Sequence, residues 1–216
     1  MRARQKMLFV SVFLSAMVVF CNVAVFVIAQ ETPASDFVCE LSANGRGVKI
    51  LGYTGNGGDV IVPSVIEGLP VVELGREAFF GGFQKNNPAS KITSIILPDS
   101  VVKIGKSYGD RAAFSFAWEL TSVTLSNRLK EIPVGCFRYC PKLTKINLPA
   151  NLKAIQAVAF NGCTELVDLI IPASLKGVKF LRGNEITPDN YAFTGCNKLP
   201  LIIQARIRNW GYRGRF

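Results

Sequence analysis

The sequence predicts a repeat solenoid, α/β or mainly β in content, and three observations carry that reading. One phrase recurs: Leu143-Thr-Lys-Ile-Asn-Leu-Pro149 followed by Ala159-Phe-Asn-Gly-Cys163, then Leu166-Val-Asp-Leu-Ile-Ile-Pro172 followed by Ala192-Phe-Thr-Gly-Cys196. Leu120, Leu143 and Leu166 open successive units at equal intervals. Within each unit the apolar residues fall at the first, fourth and sixth positions, and Pro98, Pro149 and Pro172 close the run in three of the units, which is the signature of a short strand that cannot extend. A fixed period of this length means one supersecondary unit per repeat, stacked on its neighbours.

The elements follow in chain order. Residues 1–29 read as a targeting segment: Arg2, Arg4 and Lys6 are followed by Met7 to Ala29, which is uncharged and mostly apolar. Val27-Ile-Ala29 places short side chains where a signal peptidase would cut before Gln30. The run is also long enough, at about 20 residues, for an uncleaved anchor, and Cys21 offers a lipoprotein alternative weakened by the bulky Phe20 before it. All three alternatives predict export, to the cell surface, the outer envelope or the medium. Residues 30–59 form a leader or cap, 60–204 the solenoid, and 205–216 a basic aromatic tail.

Inside the solenoid, Leu120, Val123 and Leu125, with their equivalents Leu143, Ile146, Leu148 and Leu166, Leu169, Ile171, are expected to point inward. A second apolar pair at matching offsets (Leu129 and Ile132, Leu152 and Ile155, Leu175 and Val178) predicts another short inward segment on the far side of each coil. Earlier units start at Val60 and Ile92 with insertions, the unit from Leu166 is lengthened by an insertion around Phe180 to Asn190, and a partial sixth begins at Leu199. The interval from Leu120 to Leu143 lies in the leucine-rich-repeat range of about 20–29 residues. The expected architecture is therefore a right-handed horseshoe of about five to six coils with a parallel sheet on its concave face. Beyond the repeats, Ile202 to Arg208 alternates as a final strand would.

Cys140, Cys163 and Cys196 share one register slot, with Ala117 and Gly82 in earlier units. Small residues in the same slot favour a buried ladder in which cysteine acts as a small hydrophobe. A disulfide framework and a thiolate zinc site including Cys136 are the competing readings, and both are opposed by the odd number, Cys39 included, left once Cys21 is set aside.

Composition bounds the function. The chain has 216 residues and a formal net charge of +10, and the 22 basic and 15 acidic residues beyond Gln30 leave +7 there. Export makes nucleic acid an unexpected partner. There is no histidine, which removes His-based triads and the commonest general base. No phosphate loop or nucleophile elbow is present, and Asp59 and Asp168 are too many units apart to act as a carboxylate pair. The chain is expected not to be an enzyme and to need neither cofactor nor metal.

The candidate contact surface follows from the alternation. If the fourth and sixth positions face in, the third and fifth face out: Asp59, Ser94, Ser122, Lys145 and Asp168 in one column, Ile61, Ile96, Thr124, Asn147 and Ile170 in the other. The principal candidates are Ser94, Ile96, Ser122, Thr124, Lys145, Asn147, Asp168 and Ile170. Lys130, Lys153 and Lys176 recur at the repeat interval and predict a basic stripe suited to an acidic partner, or a charged edge that blocks association. Inserted loops hold Phe83, Tyr108, Phe180 and Tyr191 near Lys106, Arg111 and Arg182, either as contacts or as loop packing. Phe116 and Trp118 are expected to be core or half-core.

Gly47-Val-Lys-Ile-Leu-Gly-Tyr-Thr-Gly55, Val60-Ile-Val-Pro-Ser64, Gly68-Leu-Pro-Val-Val72 and the repeated Ala-Phe-x-Gly-Cys together resemble the BspA-type, or treponemal, leucine-rich-repeat surface antigens over residues 37 to about 204. The common leucine-rich pattern would put Asn or Cys in the ninth position; this chain, like the resembled subfamily, instead places Gly-Cys after Ala-Phe. The resemblance implies an exported or surface-displayed bacterial protein that binds host matrix proteins or other cells as an adhesin. Polyanionic glycans are further candidate partners given the basic stripe, and membrane contact is expected only through the N-terminal segment. An envelope-structural role without a specific ligand is the alternative.

Overall fold

The structure is a computed structural model that describes residues 30–83, 85, 87–107, 110–181 and 191–216. The targeting segment, Tyr108 and Arg182 lie outside the described residues. In chain order the strands are β1 (Phe37–Leu41), β2 (Val48–Tyr53), β3 (Gly58–Ile61), β4 (Val65–Ile66), β5 (Leu69–Leu74), β6 (Ile92–Ile96) and β7 (Lys103–Ile104). They continue as β8 (Ser122–Thr124), β9 (Glu131–Ile132), β10 (Lys145–Asn147), β11 (Ala154–Ile155), β12 (Asp168–Ile170) and β13 (Lys179–Phe180), and the chain ends in helix α1 (Leu201–Asn209).

Five of these strands, β3, β6, β8, β10 and β12, lie side by side in sequence order as one parallel sheet, one strand per coil. The expected register holds: Ile95, Val123, Ile146 and Leu169 are paired neighbours and all are buried. Leu120, Leu143 and Leu166 are fully enclosed. The second inward segment also exists, as the short parallel strands β9, β11 and β13. The core runs between the two sheets. Ile171 is only partly buried, because its coil carries the last strand of the main sheet.

Two ladders tie the coils together. Phe79, Phe114, Phe137, Phe160 and Phe193 stack with centroids 4.9–5.3 Å apart and ring planes within 12° of parallel. Offset aromatic pairs contribute about 0.5–1.5 kcal/mol each beyond the area they bury. Beside them, Cys140, Cys163 and Cys196 are fully buried free thiols. Each donates to the carbonyl of the phenylalanine one coil back: Cys140 to Phe114 O at 3.1 Å, Cys163 to Phe137 O at 3.1 Å and Cys196 to Phe160 O at 3.2 Å. Burial pushes the Cys136 and Cys163 thiols well above their ordinary range and Cys196 from 9.0 to about 12. The ladder of small buried residues is thus the reading the structure adopts, with no disulfide among the described cysteines.

Each end of the phenylalanine stack is closed by other aromatics. Phe37 and Tyr53, on the antiparallel pair β1–β2, meet Phe79 at 6.3 and 6.1 Å. At the far end Tyr212 and Phe216 meet Phe193 at 5.6 and 6.2 Å. The Tyr212 hydroxyl accepts from Phe193 N–H at 3.0 Å and donates to Arg215 O at 2.7 Å, and burial raises its pKa. The tail that breaks the repeat is therefore its cap, as stacked repeats require.

One expectation is overturned here. The alternating segment Ile202 to Arg208 is not a strand but part of α1, which also crosses the boundary placed between residues 204 and 205. Pro200 sits at the helix N-cap, no Gly or Pro interrupts Leu201–Asn209, and Gly211 follows with φ 93°. Ile203 and Ile207 are four apart and share the packed face, a spacing that alternation of period two also satisfies. Leu201 and Ile202 are left 81% and 76% exposed.

Candidate functional site

The outward side chains of the main sheet form two columns. Backbone pairing places Asp59 beside Ser94, Ser94 beside Ser122, Ser122 beside Lys145 and Lys145 beside Asp168. Ile61, Ile96 and Thr124 are paired in the second column, as are Asn147 and Ile170. Backbone pairing thus brings every candidate position of the strand face to the same side of the sheet. Ile96 and Ile170 are 43% and 41% exposed.

Its polar groups are partly committed. Asp59 accepts from Ser94 Oγ at 2.7 Å and Thr93 Oγ1 at 2.9 Å, and these two bonds hold its carboxyl below the usual carboxylate range. Lys145 Nζ lies 3.4 Å from Asp168 Oδ2. Asn147 departs from the simple outward reading: its Oδ1 accepts from Leu125 N–H at 2.7 Å and its Nδ2 donates to Leu125 O at 3.3 Å. The side-chain amide takes the place of a backbone ladder bond, so the Thr124–Asn147 pairing is interrupted and Asn147 is half-buried. The face therefore offers exposed isoleucine and threonine at its middle, an acceptor at Asp59 and an exposed ion pair at the last two strands.

The basic stripe is shorter than the spacing predicts. Lys153 N–H donates to Lys130 O at 2.7 Å, so these two stack, but β11 pairs with β13 through Ala154–Lys179, two positions beyond the repeat interval. The change falls around Gly177 and Val178, and it leaves Lys176 exposed three positions ahead of the paired segment. Apolar spacing alone also misses an alternating ladder: the residues just before Leu120, Leu143, Leu166 and Leu199 are Glu119, Lys142, Glu165 and Lys198. Lys142 meets Glu119 at 2.5 Å and Lys198 meets Glu165 at 2.6 Å. The sign alternation is visible in the same repeat frame.

The loop candidates divide. Phe180 and Tyr191 pack on Tyr212, at 5.1 and 5.9 Å, and so close the end of the core. Lys106 pairs with Glu131 at 3.7 Å and Arg111 with Glu77 at 3.0 Å. Phe83 stays 54% exposed. Phe116 and Trp118 are half-buried. Among the described residues there is no group of three His, Cys, Asp or Glu placed to hold a metal, and no helix long and apolar enough to cross a membrane.

A stack of one-strand coils with an in-register outward face defines a leucine-rich-repeat protein. A family model described as BspA type leucine rich repeat region matches residues 84–180, in six copies. The fold is similar to that of a leucine rich repeat protein from T. pallidum, 31% identical, over 87% of this chain and 99% of that one, with a TM-score of 0.50. The chain belongs to the BspA-type leucine-rich-repeat family. Lower similarity is found to a leucine rich cell surface protein from Faecalibacterium prausnitzii A2-165, 20% identical over 79% of this chain and 53% of that one, TM-score 0.48. A leucine-rich repeat protein from Bacteroides ovatus ATCC 8483 is 23% identical over 79% of this chain and 64% of that one, TM-score 0.33. Curated proteins gave no match.

Proposed function

We propose that the chain is an exported, surface-displayed, non-enzymatic protein that adheres to matrix or cell-surface proteins through the outward face of its main sheet. The observation that carries this reading is the in-register outward column, which leaves Ile96 and Ile170 exposed on either side of the half-committed polar groups of the centre. β-Branched residues suit strands in any case, but water-exposed isoleucine on a continuous sheet is stabilised by a covering partner. The targeting features of residues 1–29 and the family membership support display outside the cell.

Replacing Ile96, Thr124 and Ile170 together by Glu tests the face. All three project outward, so circular dichroism and melting should stay near wild type. Attachment to immobilised fibronectin, used as a representative matrix protein, should fall by about tenfold or more if these residues anchor the contact. Attachment unchanged in the triple variant would remove the strand face from the function. Digestion of the protein by protease added to intact cells is the expected result for surface display; full protection would place it inside the envelope.

A further inference from the structure

A second aromatic column lies on the surface, two positions after the buried phenylalanines. The slot holds Gly81, Phe116, Tyr139, Gly162 and Gly195 in successive coils, aligned by Gly81 N–H to Ser115 O, Phe116 N–H to Arg138 O, Tyr139 N–H to Asn161 O and Gly162 N–H to Thr194 O. Phe116 and Tyr139 have φ of 57° and 56°, the left-handed region that Gly162 and Gly195 also occupy. Bulky residues pay a steric penalty there that glycine does not. Strain held at two adjacent coils points to a use for the rings it displays.

Those rings form a row with Phe83 and Trp118. Phe83 lies 4.8 Å from Phe116, and Phe116 lies 5.1 Å from Tyr139 and 5.8 Å from Trp118, with planes tilted by 49–74°. Phe83 and Tyr139 are 54% and 38% exposed. The glycines of the same slot leave the rings room: a side chain at Gly81 would strike Phe116 O, and one at Gly162 would strike the Tyr139 ring. Two cations lie over its rings, Lys85 5.1 Å over Trp118 and Arg138 4.7 Å over Tyr139, and Arg111 lies 5.1 Å over Phe80, whose ring is 5.2 Å from Phe83. Arg111 and Arg138 are paired with Glu77 and Asp110, while Lys85 makes no ion pair among the described residues.

We propose that Phe83, Phe116, Trp118 and Tyr139 form a docking row for an extended peptide segment rich in proline and acidic residues. Aromatic-lined clefts are what a polyproline helix recognises. Its ridge repeats every three residues, roughly 9 Å, and the row from Phe83 to Tyr139 is at most about 10 Å long. The cations already over the rings exclude a cationic ligand and leave Lys85 to pair with a carboxylate on the partner. This surface is separate from the strand face, so the two stand or fall independently.

The test is fluorescence anisotropy of a labelled peptide of repeating Glu-Pro-Pro, titrated with the full chain. Saturable binding is expected, weakened about tenfold or more, the loss expected for missing aromatic anchors, by repeating Glu-Ala-Ala or Lys-Pro-Pro sequences. Tyr139→Gly restores the residue its backbone favours and Phe83→Ser removes an exposed ring, so both variants should melt like wild type yet bind about tenfold more weakly or worse. The Ile96, Thr124 and Ile170 triple variant should bind the peptide normally. Wild-type affinity in both ring variants overturns the proposal, as does no saturable binding by the unmodified protein. Binding of heparin without binding of the peptide also overturns it, by assigning the row to an anionic glycan.

Discussion

The repeat writes two aromatic columns two positions apart, and they obey different rules. The inner column carries phenylalanine in all five coils, with rings nearly parallel and wholly enclosed. The outer column carries glycine in three coils and an aromatic residue in the two between them, its rings tilt, and its backbone is left-handed at both aromatic positions. Inside, each ring is packed from both sides at the density of a crystal, so one residue type satisfies every coil. Outside, folding asks only for a tolerated φ, which favours glycine. An aromatic residue there answers to something other than the stability of the coil.

The largest effect that can break this contrast is at the centre of the inner stack. Phe137→Ala removes a ring sandwiched between Phe114 and Phe160 and should cost about 3–5 kcal/mol in chemical denaturation. Tyr139→Gly, two positions away, should stay within about 1 kcal/mol of wild type because relief of strain offsets the lost contact. Equal losses at the two sites would erase the distinction between the columns.

The cysteine ladder sharpens the same point at a smaller scale. Cys163→Asp buries a carboxylate without a partner and should cost roughly 3 kcal/mol or more, whereas Cys163→Ala should cost about 1 kcal/mol. In native protein a thiol reagent should leave Cys140, Cys163 and Cys196 unreacted while modifying the partly exposed Cys39. Rapid modification of all of them would mean that the coils separate readily.

The smallest effect is on pH dependence. The folded state keeps the Cys163 and Cys196 protons to higher pH than the unfolded chain, Cys196 to about 12. Where the unfolded state binds fewer protons, stability falls as pH rises. Their contribution is therefore fully present below about pH 9, the ordinary thiol value, and is lost above it towards the folded values. Melting measured from pH 8 upward should decline less steeply in the Cys163→Ala, Cys196→Ala double variant than in wild type; identical slopes would show that the ladder thiols do not contribute.

Much of this architecture is legible in the amino-acid order. Because stacking requires each coil to bury equivalent positions, the repeat frame names Leu120, Leu143 and Leu166, the cysteine slot and both outward columns. The strand face is legible for the same reason. The misses share a cause as well: they are places where a contact between neighbouring coils departs from the repeat register. Alternation places Asn147 outward, but its amide is drawn to the Leu125 backbone one coil back. Lys176 keeps the sequence spacing, yet the pairing moves to Lys179.

The period, the inward residues, the strand-ending prolines and the family are all written in the amino-acid order, because they depend on local spacing repeated often enough to be unambiguous. How the stack ends and what its surface gathers emerge only from packing in three dimensions. Ile202 to Arg208 suits a strand or a helix by pattern, and the helix prevails where Ile203 and Ile207 pack against the closing core. Tyr212 becomes a cap because a buried hydroxyl needs partners and finds them at Phe193 and Arg215. Phe83 and Tyr139 come from the coils on either side of the one that carries Phe116 and Trp118, and stacking alone brings their rings into one row.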